Sequence, residues 1–286
     1  MERIERNAYA KINLGLDVLR RREDGYHELK MVMQTVDICD TLTFMKKEEP
    51  GVVLKTDRDG LSTGSDNLIC RAADMLLEKA HVAQGVEIFL QKRIPIAAGM
   101  AGGSTDAAAT FLGLNELFGL GYSLEELQAM GVTLGADIPY CLMGGTALAE
   151  GIGEVLSRLP APPQSVLLIA KPDCGVSSKF VYENLHVDTL TYHPDIDGMI
   201  GALKEGSLDG ITDRLGNVLE TVTVKEYPVI EKIKNLMKAA GAQGALMSGS
   251  GPTVFGIFRE EKPARAAAEQ IKEQSLAGEV FITGFR

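Results

Sequence analysis

A glycine-rich stretch is the strongest candidate for chemistry in the sequence. Residues 95–106 read Pro-Ile-Ala-Ala-Gly-Met-Ala-Gly-Gly-Ser-Thr-Asp. They follow a predicted strand that ends at Pro95 and lead into a predicted helix from about Ser104 to Phe118. A strand, a glycine-rich turn and a helix start together can form an anion site, because the N–H groups and dipole of the helix favour negative charge.

The residue types within this stretch leave two interpretations open. Glycine adopts positive φ angles at low cost and lets the backbone approach a ligand closely, which we expect at Gly99, Gly102 and Gly103. In a phosphate site, Ser104 and Thr105 would add hydroxyl donors or reach a metal ion. In a plain turn, Ser104 would be the N-cap of the helix and no ligand would bind.

Familiar phosphate-binding patterns are absent from the sequence. It contains no Gly-Lys pair, no G-x-G-x-x-G and neither H-R-D nor D-F-G. These absences exclude a P-loop nucleotidase, a dinucleotide fold of the usual kind and a protein kinase.

Two charged residues are candidates for catalysis. Asp137 lies in the segment 135–139, where a helix would start with a proline in its first turn, so it is either a helix cap or a general base. Lys11 lies on a predicted strand from Ala8 to Leu19, whose period-two alternation places it with Asn13 on one open face. Lys11 is either solvated or, near an aspartate and a polyphosphate, lowers the pKa of the aspartate and stabilises developing charge.

The segment Asp24-Gly-Tyr-His27 is a candidate for recognition of a planar base. It predicts either a simple turn or an aromatic ring beside a side chain that donates and accepts hydrogen bonds. Tyr182 would be the aromatic counterpart, or else a core residue.

A second stretch of small residues, Ser248-Gly-Ser-Gly-Pro-Thr253, separates two predicted strands. It is either a tight hairpin or a loop that packs against the first glycine-rich stretch. The spacing alone does not decide between the two.

The composition bounds the class of protein. The chain has 286 residues, a net charge of −10 and 45% hydrophobic residues. The acidic balance argues against a general nucleic-acid binder, and no apolar run is long enough to cross a membrane. The N-terminus has no secretory signal, and the four cysteines and four histidines show no metal-ligand spacing. We therefore expect a cytoplasmic protein with reduced thiols, no structural zinc, and neither nucleic acid nor membrane as partner.

The order of elements predicts an α+β chain of two domains, 1–160 and 161–286, with a linker at residues 160–163. Ser123 and Glu126 form a capping box that predicts the start of a helix. After the linker the pattern reads β-α-β-β-α-β with extra helices, which is typical of a ferredoxin-like arrangement.

The order of the motifs resembles the GHMP kinase superfamily along nearly the whole chain. The resemblance is carried by the segments 8–13, 25–27, 95–106, 135–139 and 247–253. It implies a two-lobed α+β fold with an ATP-binding N-terminal α/β lobe similar to ribosomal protein S5 and a ferredoxin-like C-terminal lobe. Within the superfamily, the motifs favour the members that act on a cytidine diphosphate-methylerythritol over those that act on homoserine, mevalonate or galactose.

The resemblance also implies an activity. ATP and Mg²⁺ would serve to phosphorylate the 2-hydroxyl of the methylerythritol moiety, in isoprenoid precursor biosynthesis by the non-mevalonate pathway. Asp137 would be the general base and Lys11 its electrostatic partner. No metal ligand is assigned, and a monomer and a homodimer both remain open.

The binding residues implied by the resemblance fall into two groups. Those expected to contact ATP are Pro95, Ile96, Ala97, Ala98, Gly99, Met100, Ala101, Gly102, Gly103, Ser104, Thr105, Asn67 and Lys92. Those expected to contact the acceptor substrate are Asn13, Tyr26, His27 and Tyr182. The sequence departs from the usual pattern at Met100, Thr105 and Ser178, where leucine, serine and threonine are common.

Overall fold

The computed structural model describes residues 3–286 and confirms the α+β class. Its strands are β1 (Arg3–Arg21), β2 (His27–Lys47), β3 (Val52–Thr56), β4 (Gly85–Gln91), β5 (Thr146–Gly151), β6 (Val155–Leu159), β7 (Val166–Lys171), β8 (Gly216–Asn217), β9 (Gly244–Met247), β10 (Val254–Phe258) and β11 (Glu279–Gly284). Its helices are α1 (Leu68–Lys79), α2 (Gly102–Leu117), α3 (Leu124–Gly131), α4 (Ile138–Met143), α5 (Ser178–Glu183), α6 (Ile196–Glu205), α7 (Leu208–Thr212), α8 (Glu220–Glu226), α9 (Val229–Ala239) and α10 (Glu261–Glu273).

The described residues form two compact units, each discontinuous in the chain. The first unit contains residues 3–10, Ile38–Ile94 and Ala101–Met143. The second unit contains Lys11–Asp37, Pro95–Met100 and Gly144–Arg286. The predicted domains, 1–160 and 161–286, are continuous in sequence, whereas these units are discontinuous. The boundary between residues 160 and 161 stays a prediction.

In the first unit, helices α1 to α4 share one hydrophobic core with a mixed sheet. The sheet has the order β3-β4-β2-β1, with β3 parallel to β4 and β4 antiparallel to β2. Helix α2 approaches the sheet closely at Gly113, where an added Cβ would lie 2.5 Å from the ring of Phe44. The predicted capping box of Ser123 and Glu126 is present and begins α3.

Helix α2 begins two residues earlier than predicted. Gly102 and Gly103 were expected to take positive φ angles, but they form the first turn of the helix, and the left-handed residue before it is Ala101 (φ 57°). Ser104 is therefore not the N-cap, and within the described residues no side chain caps this helix. The prediction was wrong because the left-handed residue that ends the turn is an alanine, which rarely adopts this conformation.

The second unit contains the predicted ferredoxin-like arrangement. Its four-stranded antiparallel sheet has the order β11-β7-β10-β9, so the first strand lies between the third and the last. Helix α9 precedes β9, and helix α10 follows β10. Both helices are amphipathic and bury residues spaced three and four apart. This part of the structure confirms the β-α-β-β-α-β reading.

The same unit contains the part of β1 that was predicted from its alternation. Here β1 pairs in parallel with β8, at Gly15 with Gly216. Strand β2 pairs with β5, and β5 forms an antiparallel hairpin with β6. All four cysteines are free thiols. Among the described residues, no helix is both long and apolar enough to span a membrane.

Candidate active site

The glycine-rich stretch has left-handed backbone at every second residue of its central part. The φ angles are 51° at Ala97, 70° at Gly99 and 57° at Ala101. Two of the four non-glycine residues with positive φ in the described chain therefore lie within five residues of each other. Left-handed residues alternating with others turn successive N–H groups to one side, which forms a concave anion-binding nest. Strain of this kind persists only where the surrounding structure maintains it.

The first turn of α2, in the first unit, follows Ala101 directly in the chain. The N–H groups at the start of a helix have no intrahelical partner, and here glycines occupy its first two positions. Ser104 is partly exposed, whereas Thr105 is buried and its hydroxyl donates to the carbonyl of Tyr9 at 2.8 Å. Thr105 thus anchors the helix to β1, and Ser104 is the hydroxyl of this pair that remains accessible.

Asp137 lies in the first unit, directly before the short helix α4. Its carbonyl accepts the N–H of Cys141 at 3.0 Å, and Pro139 is in the first turn as predicted. The turn that leads to Asp137 passes beside α2, because an added Cβ on Gly135 would lie 3.9 Å from Oγ of Ser104. The partly exposed Asp137 therefore belongs to a turn that adjoins the N-terminal turn of α2.

Lys92, which the resemblance places near ATP, lies in a buried cluster of charges in the first unit. Its ammonium donates to Asp40 and, at 2.9 Å, to Asp106, and all three side chains are almost completely buried. Asp40 also accepts the N–H of Ile94 at 2.8 Å. The cluster therefore joins β2 and the end of β4 to the first turns of α2.

The charge state of this cluster follows from burial. Burial, only partly offset by the Lys92 cation, raises the pKa of Asp106 from 3.8 to about 8. Burial alone would lower the pKa of Lys92, but Asp106 and Asp40 more than reverse this, so its pKa is raised. Asp106 therefore retains its proton at neutral pH while Lys92 stays charged. Oδ1 of Asp106 has no hydrogen-bond partner among residues 3–286.

Lys11 and Asn13 lie side by side in the second unit. Nζ of Lys11 donates to Oδ1 of Asn13 at 2.7 Å, which confirms that both residues share a face of β1. That face is not open, however, because the residues are only 5% and 0% exposed. The N–H of Lys11 donates to the carbonyl of Met100 at 3.2 Å, so the glycine-rich stretch itself lies against the strand. The interpretation of Lys11 as a solvated lysine is therefore wrong.

The second stretch of small residues packs against the first, as one of the two interpretations predicted. Oγ of Ser248 donates to the carbonyl of Gly99 at 3.0 Å. An added Cβ on Gly99 would lie only 2.2 Å from the carbonyl oxygen of Ser248, so any other residue at this position would clash. Residues 248–253 are all buried.

The aromatic residues predicted to hold a base lie in the second unit. The rings of His27 and Tyr182 stack with their centroids 5.2 Å apart, and Tyr26 is 59% exposed. Burial, together with the nearby cation of Arg21, lowers the pKa of His27 below its ordinary value of 6.5. The imidazole is therefore neutral at pH 7 and suits stacking with an uncharged base.

Two other residues named from the resemblance have structural partners. Asn67 is the N-cap of α1 and accepts the N–H of Ile69 at 2.9 Å. Ser178 shares a hydrogen bond of 2.8 Å with Ser250, which ties α5 to the second stretch of small residues.

Sequence reasoning missed Asp40 and Asn217 and gave Asp106 no role. Aspartate is depleted in strands, so Asp40 within the apolar part of β2 was a signal that could have been followed. Asn217 is a buried amide in a two-residue strand, and the sequence around it carries no comparable signal.

Comparison with known proteins identifies the family. The model of the GHMP kinases N terminal domain matches residues 67–145, and that of the GHMP kinases C terminal domain matches residues 199–275. A protein of Lachnoclostridium phytofermentans named 4-diphosphocytidyl-2-C-methyl-D-erythritol kinase is 49% identical over 100% of this chain and 98% of its own.

Solved structures agree with this family. A crystal structure of 4-(cytidine 5'-diphospho)-2C-methyl-D-erythritol kinase matches with a TM-score of 0.83 and 34% identity, covering 99% of each chain. A homoserine kinase from Cytophaga hutchinsonii matches with a TM-score of 0.80 and 21% identity over 99% of this chain and 95% of its own, which shows a shared fold alone. The chain is therefore a small-molecule kinase and belongs to the 4-diphosphocytidyl-2-C-methyl-D-erythritol kinase family of the GHMP kinases.

Proposed function

We propose that this kinase transfers the γ-phosphoryl group of ATP to the 2-hydroxyl of 4-diphosphocytidyl-2-C-methyl-D-erythritol, in the non-mevalonate pathway to isoprenoids. The observation that carries the proposal lies in the first unit, where the start of α2 has no side-chain cap and adjoins the turn of Asp137. The left-handed residues Ala97, Gly99 and Ala101 precede this helix in the chain. Full-length identity of 49% to a relative named for this substrate supports the choice of acceptor.

The glycine-rich stretch fits a triphosphate. Its alternating left-handed residues turn N–H groups to one side, and Ile96 and Ala97 are exposed. At the start of α2, no side chain competes for the free N–H groups and Gly103 is exposed. In bound form ATP supplies the electrophilic phosphorus, and the role of residues 95–105 is to orient it and to stabilise negative charge.

Mg²⁺ fits the site as a companion of the nucleotide. Among residues 3–286, no group of three histidine, cysteine or acidic side chains could hold a metal ion. Magnesium in kinases is bound largely through phosphate oxygens and water, with one or two protein ligands. We propose the accessible hydroxyl of Ser104 as a protein ligand of Mg²⁺ and assign no carboxylate ligand.

Asp137 is proposed as the general base and Lys11 as its electrostatic partner. Asp137 would accept the proton of the attacking hydroxyl, and Lys11 would stabilise the oxygen as its negative charge develops. The two residues belong to different units, and this assignment is supported by the motifs that contain them rather than by a distance.

The acceptor substrate is proposed to contact the second unit. Asn13 would hold the methylerythritol part, because Lys11 fixes its amide. The stacked His27 and Tyr182, with Tyr26, would hold the cytosine, whose uncharged ring suits the lowered pKa of His27. Asn67 and Lys92 remain proposed ATP contacts, although Nζ of Lys92 already donates hydrogen bonds to Asp40 and Asp106. A cytoplasmic location is likewise a proposal.

A coupled assay of ADP release tests the function. With ATP and Mg²⁺, we expect turnover with the cytidine diphosphate substrate and none above background with homoserine or mevalonate. Phosphorus NMR of the product would place the new phosphate on the 2-hydroxyl. Equal turnover with homoserine, or a product phosphorylated elsewhere, would refute the proposed acceptor.

A further inference from the structure

Asn217 is a buried amide whose side chain is fully engaged in hydrogen bonds. It is 4% exposed, and its Nδ2 donates to the carbonyls of Met247 at 2.9 Å and Gly249 at 2.8 Å. Its Oδ1 accepts the N–H of Leu219 at 3.0 Å. Both amide hydrogens are used, so the orientation of the group is fixed.

The backbone that Asn217 holds adjoins two proposed binding residues. An added Cβ on Gly249 would lie 3.1 Å from the carbonyl oxygen of Gly99 and 3.5 Å from Oδ1 of Asn13. Gly249 therefore lies between the glycine-rich stretch and the side chain proposed to hold the acceptor. A shift of this residue would move one or both neighbours.

Asn217 is itself fixed to the strand that carries Lys11 and Asn13. It pairs with Leu16 of β1 through β8, and the N–H of Val218 donates to the carbonyl of Leu16 at 3.1 Å. Thr223 adds a second tie, since its hydroxyl donates to the carbonyl of Ser250 at 3.1 Å. One short segment thus connects β1 to residues 248–252.

Two residues of the held loop have backbone that is intrinsically flexible. Gly249 and Gly251 are left-handed, with φ angles of 56° and 85°, and glycine has many alternative conformations of similar energy. Because the peptide is planar and trans, fixing the carbonyl of Gly249 also fixes the direction of the N–H of Ser250. Loss of the bond from Asn217 would remove one constraint on the orientation of this peptide.

We propose that Asn217 is a positioning residue for phosphoryl transfer. It orients the Gly249–Ser250 peptide and, through it, sets the spacing between Gly99 and Asn13. The inference rests on the proposed function, because the groups that it positions are the proposed sites of nucleotide and acceptor.

The test compares Asn217→Asp with Asn115→Asp. At position 217 the carboxylate still accepts from Leu219, but it faces two carbonyl oxygens to which it no longer donates. Asn115 is the matched control: its Nδ2 donates to the carbonyl of Tyr122 and its Oδ1 accepts the N–H of the same residue, at 2.9 and 3.0 Å. This clamp joins α2 to the start of α3 and touches no proposed binding residue.

Kinetics and melting temperature are measured for both variants. We expect Asn217→Asp to lower kcat/KM for ATP by about tenfold or more, since small displacements of positioning groups have large effects on rate. We expect Asn115→Asp to lower the melting temperature while leaving kcat and KM within about twofold of wild type. Wild-type kinetics in a folded Asn217→Asp would overturn the inference. So would a fall in kcat/KM that, relative to the drop in melting temperature, is the same in both variants.

A milder variant covers the case in which Asn217→Asp does not fold. Thr223→Val keeps the shape of the side chain and removes only the hydroxyl that donates to Ser250. We expect kcat/KM to fall by about threefold, the effect of losing one neutral hydrogen bond. Unchanged kinetics in this variant would count against the inference.

Binding separates this inference from the proposed function. The dissociation constant of a nonhydrolysable ATP analogue is measured by calorimetry for the wild type and Asn217→Asp, and it requires no turnover. A wild type that releases no ADP with the cytidine diphosphate substrate refutes the proposed acceptor, but weaker analogue binding by the variant still supports a role for Asn217. Equal analogue binding and equal kinetics would refute the role of Asn217 alone.

Discussion

The two glycine-rich loops of this kinase have similar composition and opposite surroundings. The open loop, residues 95–101, has exposed side chains at Ile96 and Ala97 and left-handed backbone at two alanines. The buried loop, residues 248–252, is almost inaccessible to solvent. The side chains of Asn217 and Thr223 donate hydrogen bonds to three carbonyls in or next to it. Glycine content alone therefore does not indicate whether a loop is exposed or buried.

The largest expected effect is on catalysis, at Asp137 of the first unit. Asp137→Asn keeps the size of the side chain and removes the proposed base, so we expect kcat to fall by about a hundredfold or more with little change in ATP affinity. Steady-state kinetics and calorimetry measure the two quantities. Near-wild-type turnover would remove Asp137 from the mechanism.

The contact between the two loops should be intolerant of a single methyl group. In Gly99→Ala the new Cβ would lie 2.2 Å from the carbonyl oxygen of Ser248, at a φ angle of 70°. We expect the free energy of unfolding in urea to fall by more than about 2 kcal/mol. Gly103→Ala is the control, because its Cβ would meet Leu68 at an ordinary 3.5 Å within α2, and it should stabilise by up to about 1 kcal/mol. Equal stability of the two variants would show that the loops are not tightly packed.

The stability of the first unit should depend on pH, because this unit contains the buried cluster of Asp40, Lys92 and Asp106. The folded protein retains a proton on Asp106 up to about pH 8, whereas the unfolded chain releases it near pH 4. This proton stabilises the fold fully below pH 4, and its contribution declines as the pH rises to about 8, by about 1.4 kcal/mol per pH unit at most.

Asp106→Asn removes that pH dependence. We expect the stability of the variant relative to wild type to rise steadily between pH 5 and pH 8, as measured by urea unfolding at several pH values. A constant difference between the two proteins across this range would contradict the raised pKa of Asp106.

The smallest expected effect is at an alanine of the open loop. Ala97 is exposed with a φ angle of 51°, so Ala97→Gly relieves strain and should raise the free energy of unfolding by about 0.5 kcal/mol. Ala98→Gly, at a residue without positive φ, should instead lower it by about 0.5 kcal/mol. Calorimetric melting of both variants measures the difference, and the same sign in both would argue against strain at Ala97.

Local patterns in the sequence predicted much of the fold. The alternation of β1, the capping box at Ser123 and the strand order of the C-terminal half were all accessible, since each depends on neighbouring residues or on element order. The pairing of the two loops at Gly99 and Ser248 was left open, because it joins residues about 150 positions apart.

Burial of charge could not be predicted in the same way. Lys11 has the position of a surface lysine on a half-buried strand, but residues that are distant in sequence cover that face. The burial of Lys92 depends likewise on Asp40, which lies in another strand. Periodicity describes one element at a time and carries no information about which element will cover it.

The two-residue strand β8 has a consequence for biosynthesis. It completes the environment of β1 by pairing Gly15 with Gly216, two positions separated by about two hundred residues of chain. Contacts of such long range form late, because the intervening chain must be ordered first. A nascent polypeptide still short of residue 216 on the ribosome would thus carry Lys11, the proposed partner of the base, on a strand that lacks its parallel neighbour.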